Sequence, residues 1–281
     1  MCGLFGAISF HRGATLSSQR LRKLGEEMDL RGGDSNGWAK FHIGNKSLDF
    51  KKQLGDVRDH RRKLCKDVRK RAGAIVGHTR FSTHGSEKVM INNHPHLYEN
   101  RTRGAVTHNG VIGDHEAIAF RHGLKLLGQC DSEIIARLIE SYSLADTLAN
   151  RCAQAVNACS DTDSIALGVI EENPMFDDCD LCLVARGNPI WYCEWNGCLY
   201  YASTKNALPN GKHVRLAEGD ILHARMHVGI LSIESDLMEK KSSIGGANWW
   251  TYGAGSCHSG VYTPKQIAKK DDDSKIRWVD S

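Results

Sequence analysis

The residue with the most chemistry to offer is Cys2, which follows Met1. Removal of the initiator methionine beside so small a side chain leaves a cysteine that bears a free α-amine. An α-amine titrates at about 7.7–8.0, so near neutrality much of it is a free base within reach of its own sulfur. One residue thereby supplies both nucleophile and general base, the pairing that acyl transfer from an amide requires. The plain alternative is a cysteine that stands at position two by chance. Further along, His108-Asn109-Gly110 sets a side-chain amide beside a glycine N–H, the donor pair that could hold a developing oxyanion. Asn-Gly is equally the strongest short signal for a hairpin turn.

Two charged residues could fix a substrate. Arg80 sits in GHTRFSTHG (77–85), where a guanidinium could clamp a carboxylate in bidentate fashion, or simply end a strand at the surface. Asp131 heads the apolar-periodic run SEIIARLIE and could accept from a substrate ammonium, cap the helix, or do both. His94 and His96 flank Pro95 in NNHPH. At i and i+2 of an extended segment they should point to opposite sides, which favours structural histidines over a metal pair. Cys179 and Cys182 form a CxxC, but Cys193 and Cys198 follow at a spacing too loose for a second zinc pair, so core thiols are expected. The ten cysteines, in a chain without a secretory signal pattern, read as reduced thiols rather than a disulfide framework.

The elements that must position these groups follow from periodicity. GLFGAISF (3–10) reads as a buried strand starting immediately after Cys2. Leu21, Leu24 and Met28 predict a helix over 17–30, capped by Ser17 or Ser18. RGGDSNGW (31–38) reads as a loop. The basic stretch 51–71 places Leu54, Val57, Leu64 and Val68 at near-helical spacing and predicts one amphipathic helix with a solvated face. GAIVGHTRFS (73–82) and AVTHNGVI (105–112) read as strands, the second interrupted at Asn-Gly. Helices are expected over 132–147 and 145–159, then a run of antiparallel strands from 163 to 235 separated by short turns. This order implies two sheets packed between helices.

At 281 residues, 41% hydrophobic and 25% charged, the chain can build a sizeable core. Its net charge of +4 is concentrated in 51–71, with no motif or interleaved aromatics to suggest nucleic acid. No apolar run approaches a membrane span, and a cytoplasmic location is the default expectation. The expected division is a domain over 2–235 and an irregular tail over 236–281 that holds Trp249 and Trp250.

In order, MCGLFGAI, RGGDSNGW, GHTRFSTHG, NNHPH, THNGVI, CDSEIIARLIE, YYASTKNAL and LAEGDILHARMHVGILSI resemble the class II glutamine amidotransferases of the N-terminal-nucleophile (Ntn) hydrolase superfamily. The best likeness is to the glutaminase half of the glucosamine-6-phosphate synthase type, over about residues 2–235. The resemblance implies an α+β fold, a four-layer αββα sandwich. It implies Cys2 as nucleophile and, through its amine, base, with Asn109 and Gly110 as the oxyanion hole. Arg80 would bind the glutamine α-carboxylate, helped by Thr83 and His84, and Asp131 the α-amino group. Arg31 would support the N-terminal region, and loop 80–87 would act as a lid. Gly33, Phe81 and Thr204 depart from the residues common in the family at those positions, none of them in the implied nucleophile, oxyanion hole or clamp. Synthase-type relatives continue into a sugar-isomerase region, so the ammonia is expected to pass to an acceptor on a separate subunit. No metal or organic cofactor, nucleic acid or membrane is implied. Two other readings remain: a non-catalytic glutamine-sensing module, and hydrolysis of another γ-glutamyl amide.

Overall fold

Strand β1 (Gly3–Ser9) is buried at every position, as a central strand covered on both faces must be. In the computed structural model, which describes residues 1–235 apart from Arg12, Pro174 and Asp177, it lies in the middle of a seven-stranded antiparallel sheet. On one side β1 pairs with β4 (Ala72–Arg80), followed by β2 (Ser35–His42) and β3 (Ser47–Leu54). On the other it pairs with β10 (Cys198–Ala202), followed by β9 (Trp191–Trp195) and β11 (Val214–Arg215). The second sheet has six strands in the order β13 (Gly229–Glu234), β12 (Ile221–Arg225), β8 (Asp178–Arg186), β7 (Ser164–Asn173), β6 (Thr102–Val111) and β5 (His96–Asn100).

Three buried clusters show how the layers stack. Leu4, Ile8, Ala74 and Val76 of the first sheet meet Ala166, Leu181, Leu183 and Leu222 of the second. Helices α1 (Ser18–Met28) and α2 (Val57–Arg69) cover the outer face of the first sheet through Leu21, Leu24, Met28, Val57, Leu64 and Val68. Helices α3 (His115–Arg121), α4 (Glu133–Ser141) and α5 (Leu148–Ala158) cover the second with Ile118, Ile134, Leu138, Cys152 and Val156. The result is the four-layer αββα arrangement expected from the sequence.

Several boundaries differ from the sequence reading, each for a local reason. The stretch 51–71 is a strand, a turn and a helix: Leu54 ends β3 half exposed, Gly55 turns at φ +81°, and only Val57, Leu64 and Val68 are buried. Asp67 on the same helix is buried too, where it accepts from Trp38 Nε1 at 3.0 Å. The Ser/Asn/Gly signals of RGGDSNGW suggest a loop, yet Ser35–Trp38 lie in β2, paired with β3 and β4. Asn109-Gly110 does not turn: β6 runs straight through it, Asn109 opposite Ala166 and Gly110 opposite Ile165. The segment expected as one helix over 132–147 stops at Ser141, and α5 begins after Thr147, whose hydroxyl accepts from Asn150 N.

Cys179 and Cys182 face opposite sides of β8, one in the inter-sheet cluster and one under the helices, so they cannot share an ion. All nine cysteines among the described residues are free. The expected tail over 236–281, including Trp249 and Trp250, lies outside the described residues. Among the described residues no helix is long and apolar enough to cross a membrane.

One ion pair is deep enough to matter for stability. The Arg151 guanidinium donates to both Glu171 carboxylate oxygens, at 2.9 and 2.5 Å, and Tyr98 Oη donates to Oε2 at 2.7 Å. Arg151 and Glu171 are almost fully buried. Arg151→Ala leaves the Glu171 charge buried without its cation and is expected to cost about 3–5 kcal/mol. Replacing the pair with apolar residues of similar volume should recover most of that loss in denaturant unfolding.

Candidate active site

Cys2 lies immediately before β1, whose register fixes its surroundings: Gly3 pairs with Thr79 and Leu4 with His78 on β4. The far end of β4 therefore lies beside the thiol. The Phe81 N–H donates to Cys2 Sγ at 3.4 Å, and the thiol lies 3.5 Å from the Phe81 carbonyl oxygen. Arg31 Nε donates to the Cys2 carbonyl at 2.9 Å, tying the chain start to the turn after α1. On the opposite side Leu4 and Ser203 hold each other: Leu4 N donates to Ser203 Oγ at 2.9 Å, and Ser203 N to the Leu4 carbonyl at 3.0 Å. Burial pushes the Cys2 thiol pKa up. The Phe81 amide, the chain's amino terminus and the Arg80 cation pull it back, and the Asp131 anion adds to the rise. The thiol thus needs a base before it can attack.

The second sheet brings the donors. Strand β6 packs across from β4, and His78 Nε2 is 2.9 Å from the His108 carbonyl oxygen, the residue before Asn109. His108 Nδ1 is 2.8 Å from Ser132 Oγ, the residue after Asp131. This buried relay joins β4, β6 and the start of α4, so Cys2, Asn109 and Asp131 share one frame. Asn109 itself is buried, with its backbone carbonyl accepting from Asn188 Nδ2 at 3.1 Å. Its side-chain Nδ2 is buried without a hydrogen-bond partner, although such a donor normally finds one. At Gly110 a Cβ would lie 1.7 Å from the Ser164 carbonyl oxygen, so no side chain fits there without moving β7.

Arg80 is buried rather than a surface strand-end. Its Nη1 donates to Asn93 Oδ1 at 2.9 Å, and its Nη2 donates to the carbonyls of His84 and Gly85, the latter at 3.0 Å. Loop 80–87 is thereby folded back onto the guanidinium. Asn93 is itself pinned, its Oδ1 accepting from Ser35 Oγ and its Nδ2 donating to the Glu87 carbonyl. Asp34 steadies the same loop by accepting from Ser82 N at 2.7 Å. At Gly32 a Cβ would lie 2.6 Å from the Arg80–Phe81 backbone, which is how closely the 31–34 turn passes beneath. Thr83 is exposed on the loop, and His84 Nδ1 lies 3.7 Å from Asp131 Oδ1.

Asp131 does not cap α4, correcting one of its expected roles. The N-cap residue is Ser132, without a side-chain bond. Instead Asp131 Oδ2 accepts from Ile112 N at 2.8 Å, because the chain leaving β6 passes directly over it. Its Oδ1 faces His84 and the Cys130 thiol. The expectation that His94 and His96 point apart is also overturned: their ring centroids are 4.6 Å apart. His94 precedes β5, so strand alternation does not govern the pair.

Sequence reasoning missed Ser203, Ser35, Asn93 and the His78–His108–Ser132 relay. Ser203 and Asn93 lay inside quoted motifs, YYASTKNAL and NNHPH, but nothing local marks them as partners of Leu4 and Arg80.

The glutamine–fructose-6-phosphate aminotransferase (isomerizing) of Caldanaerobacter subterraneus subsp. tengcongensis is 33% identical over 193 residues, 66% of this chain and 28% of the relative. That of Chlamydia abortus is 38% identical over 141 residues, 49% of this chain and 22% of the relative. The chain thus spans under a third of the length of these relatives. No family model matches it. Among solved structures, the Bacillus subtilis glutamine phosphoribosylpyrophosphate amidotransferase superposes with a TM-score of 0.68 at 18% identity, over 83% of this chain and 49% of the other. A glutamine aminotransferase class-II domain protein from Silicibacter pomeroyi gives 0.55 at 14% identity, over 83% and 99%. The chain is thus similar in sequence to part of the length of these aminotransferases and shares its fold with the solved amidotransferases.

Proposed function

We propose that residues 2–235 form a glutaminase domain that hydrolyses glutamine to glutamate and ammonia through a thioester on Cys2. The observation that carries this is the Asn109 side-chain amide, buried without a partner on a strand tied through His108 and His78 to the strand beside Cys2. A buried donor left unpaired costs about 1–3 kcal/mol, a cost that an oxyanion-binding role would offset during turnover.

Once Met1 is removed, the Cys2 amine takes the thiol proton and the sulfur attacks the glutamine side-chain carbonyl. The oxygen of the tetrahedral adduct accepts from Asn109 Nδ2 and the Gly110 N–H. The ammonium at Cys2 gives its proton to the amide nitrogen of the adduct, and collapse breaks the C–N bond and releases ammonia. Water, deprotonated by the same amine, then cleaves the γ-glutamyl thioester and restores the thiol.

Asp131 Oδ1 receives the α-ammonium while Oδ2 stays held by Ile112 N. Arg80 reaches the α-carboxylate by exchanging the carbonyls of His84 and Gly85 for it, which couples binding to movement of loop 80–87. Thr83 and His84 ride on that loop and complete the head-group contacts. Arg31 acts on the nucleophile by holding the Cys2 carbonyl. The ammonia passes to an acceptor site on a separate subunit, a partner to be sought by co-purification.

The test is release of glutamate and ammonia by the purified chain supplied with glutamine, with intact mass reporting the state of Met1. Equal release of both products by Met1-free protein is expected. Tight glutamine binding by Met1-free protein without turnover would overturn the catalytic reading in favour of a sensing module.

A further inference from the structure

We infer that His94, His96 and Cys130 form a binding site for a divalent transition-metal ion, zinc by the character of the ligands. One ligating atom from each lies within 4.8 Å of the others, and all three residues are buried. Both ring nitrogens of His94 and Nε2 of His96 are buried without a hydrogen-bond partner. A neutral imidazole has one donor and one acceptor nitrogen, and burying them unpaired is costly enough that native proteins avoid it. One nitrogen from each ring gathered beside a thiol is an arrangement that an ion would satisfy.

The ligand set suits zinc. Imidazole nitrogen and thiolate bind it at about 2.0–2.1 and 2.3 Å, so ligand atoms around a tetrahedral ion stand about 3.3–3.8 Å apart. Closing from 4.8 Å requires about 1 Å of movement, within reach of small side-chain rotations. Three protein ligands leave one position for water. A neutral imidazole is the form that ligates. The Cys130 thiol proton leaves to solvent as the Zn–S bond forms. The His78 ring packs against that of His94, with centroids 3.8 Å apart. Lys52 contributes a neighbouring cation, and the charge of the thiolate offsets it beside the dication.

The site joins the start of β5 and the segment before it to the residue preceding Asp131. It would staple the 122–132 connection to the second sheet, a structural role separate from the proposed glutamine chemistry.

The test uses the full chain stripped of metal and titrated with Zn²⁺ or Co²⁺. One equivalent of Co²⁺ should give a thiolate-to-cobalt charge-transfer band with tetrahedral d–d intensity. Zn²⁺ should compete it away and raise the thermal midpoint. Cys130→Ser should abolish the charge-transfer band, and His96→Gln should weaken Zn²⁺ binding by at least ~100-fold. Should either variant fail to fold, protection of Cys130 from alkylation by Zn²⁺ in the unaltered chain, mapped by mass spectrometry, decides instead. No stoichiometric binding, a cobalt band that survives Cys130→Ser, or an unprotected Cys130 overturns the site, with water then filling the space.

Discussion

Cys2→Ala is expected to reduce glutamine-dependent release of glutamate by at least ~10⁴-fold while leaving the fold intact. The size follows from what the side chain does: without sulfur there is no acyl-enzyme and no alternative nucleophile in register with Asn109. Its structural contacts are slight, confined to the Phe81 backbone at 3.4–3.5 Å, so the unfolding free energy should change by no more than about 1 kcal/mol. The amine can be isolated from the sulfur. Protein that keeps Met1 retains the thiol but presents an amide nitrogen at Cys2, and it should lose activity comparably. Because burial raises the Cys2 thiol, the base must be free for attack. In the Met1-free enzyme kcat/KM should therefore rise with pH through the region where an α-amine titrates, about 7.7–8.0, and level off above it. Steady-state kinetics on the three proteins checks this, and full activity with Met1 in place would exclude the amine as base.

The second large effect concerns Asn109. Asn109→Ala should lower kcat by ~10²–10³, about 2.7–4 kcal/mol of transition-state stabilisation, with KM changed only a few-fold. The amide is placed for an oxygen that becomes charged only after attack, so ground-state binding loses little. Stability should move the other way or not at all. The side-chain nitrogen has no partner to lose, and the backbone carbonyl keeps its bond from Asn188. Lost turnover at undiminished stability is the signature of a donor held for the reaction rather than for the fold. A rise in KM at constant kcat, or a clear loss of stability, would assign Asn109 to binding or packing.

What the sequence disclosed and what it hid follow from range. Helix α1 was legible because its face repeats every three or four residues and the Ser17 hydroxyl caps it locally, accepting from Arg20 N. β1 and the first part of β4, residues 72–77, were legible because strands covered on both faces read as apolar runs. β2 was not: Ser35, Asn36 and Gly37 carry loop signals, and only pairing with β3 and β4 makes them a strand. The same override carries β6 straight through Asn109-Gly110, where Ala166 and Ile165 supply partners that no local rule anticipates. In the site, Cys2, Arg80, Asn109 and Asp131 could be named from residue chemistry and resemblance. Their supports could not, because Ser203 meets Leu4 from 199 residues away and Arg80 is shaped by a loop folding back on it. The convergence of His94, His96 and Cys130 was hidden for the same reason.

The central claim is that acyl transfer passes through Cys2. The most direct measurement is acid-quenched mass spectrometry of Met1-free protein during turnover of glutamine, with the N-terminal peptide mapped. The account requires one γ-glutamyl group on the peptide that begins with Cys2, which disappears as glutamine is exhausted and never forms in Cys2→Ala. Turnover without that adduct, or with the adduct on another cysteine, would contradict it.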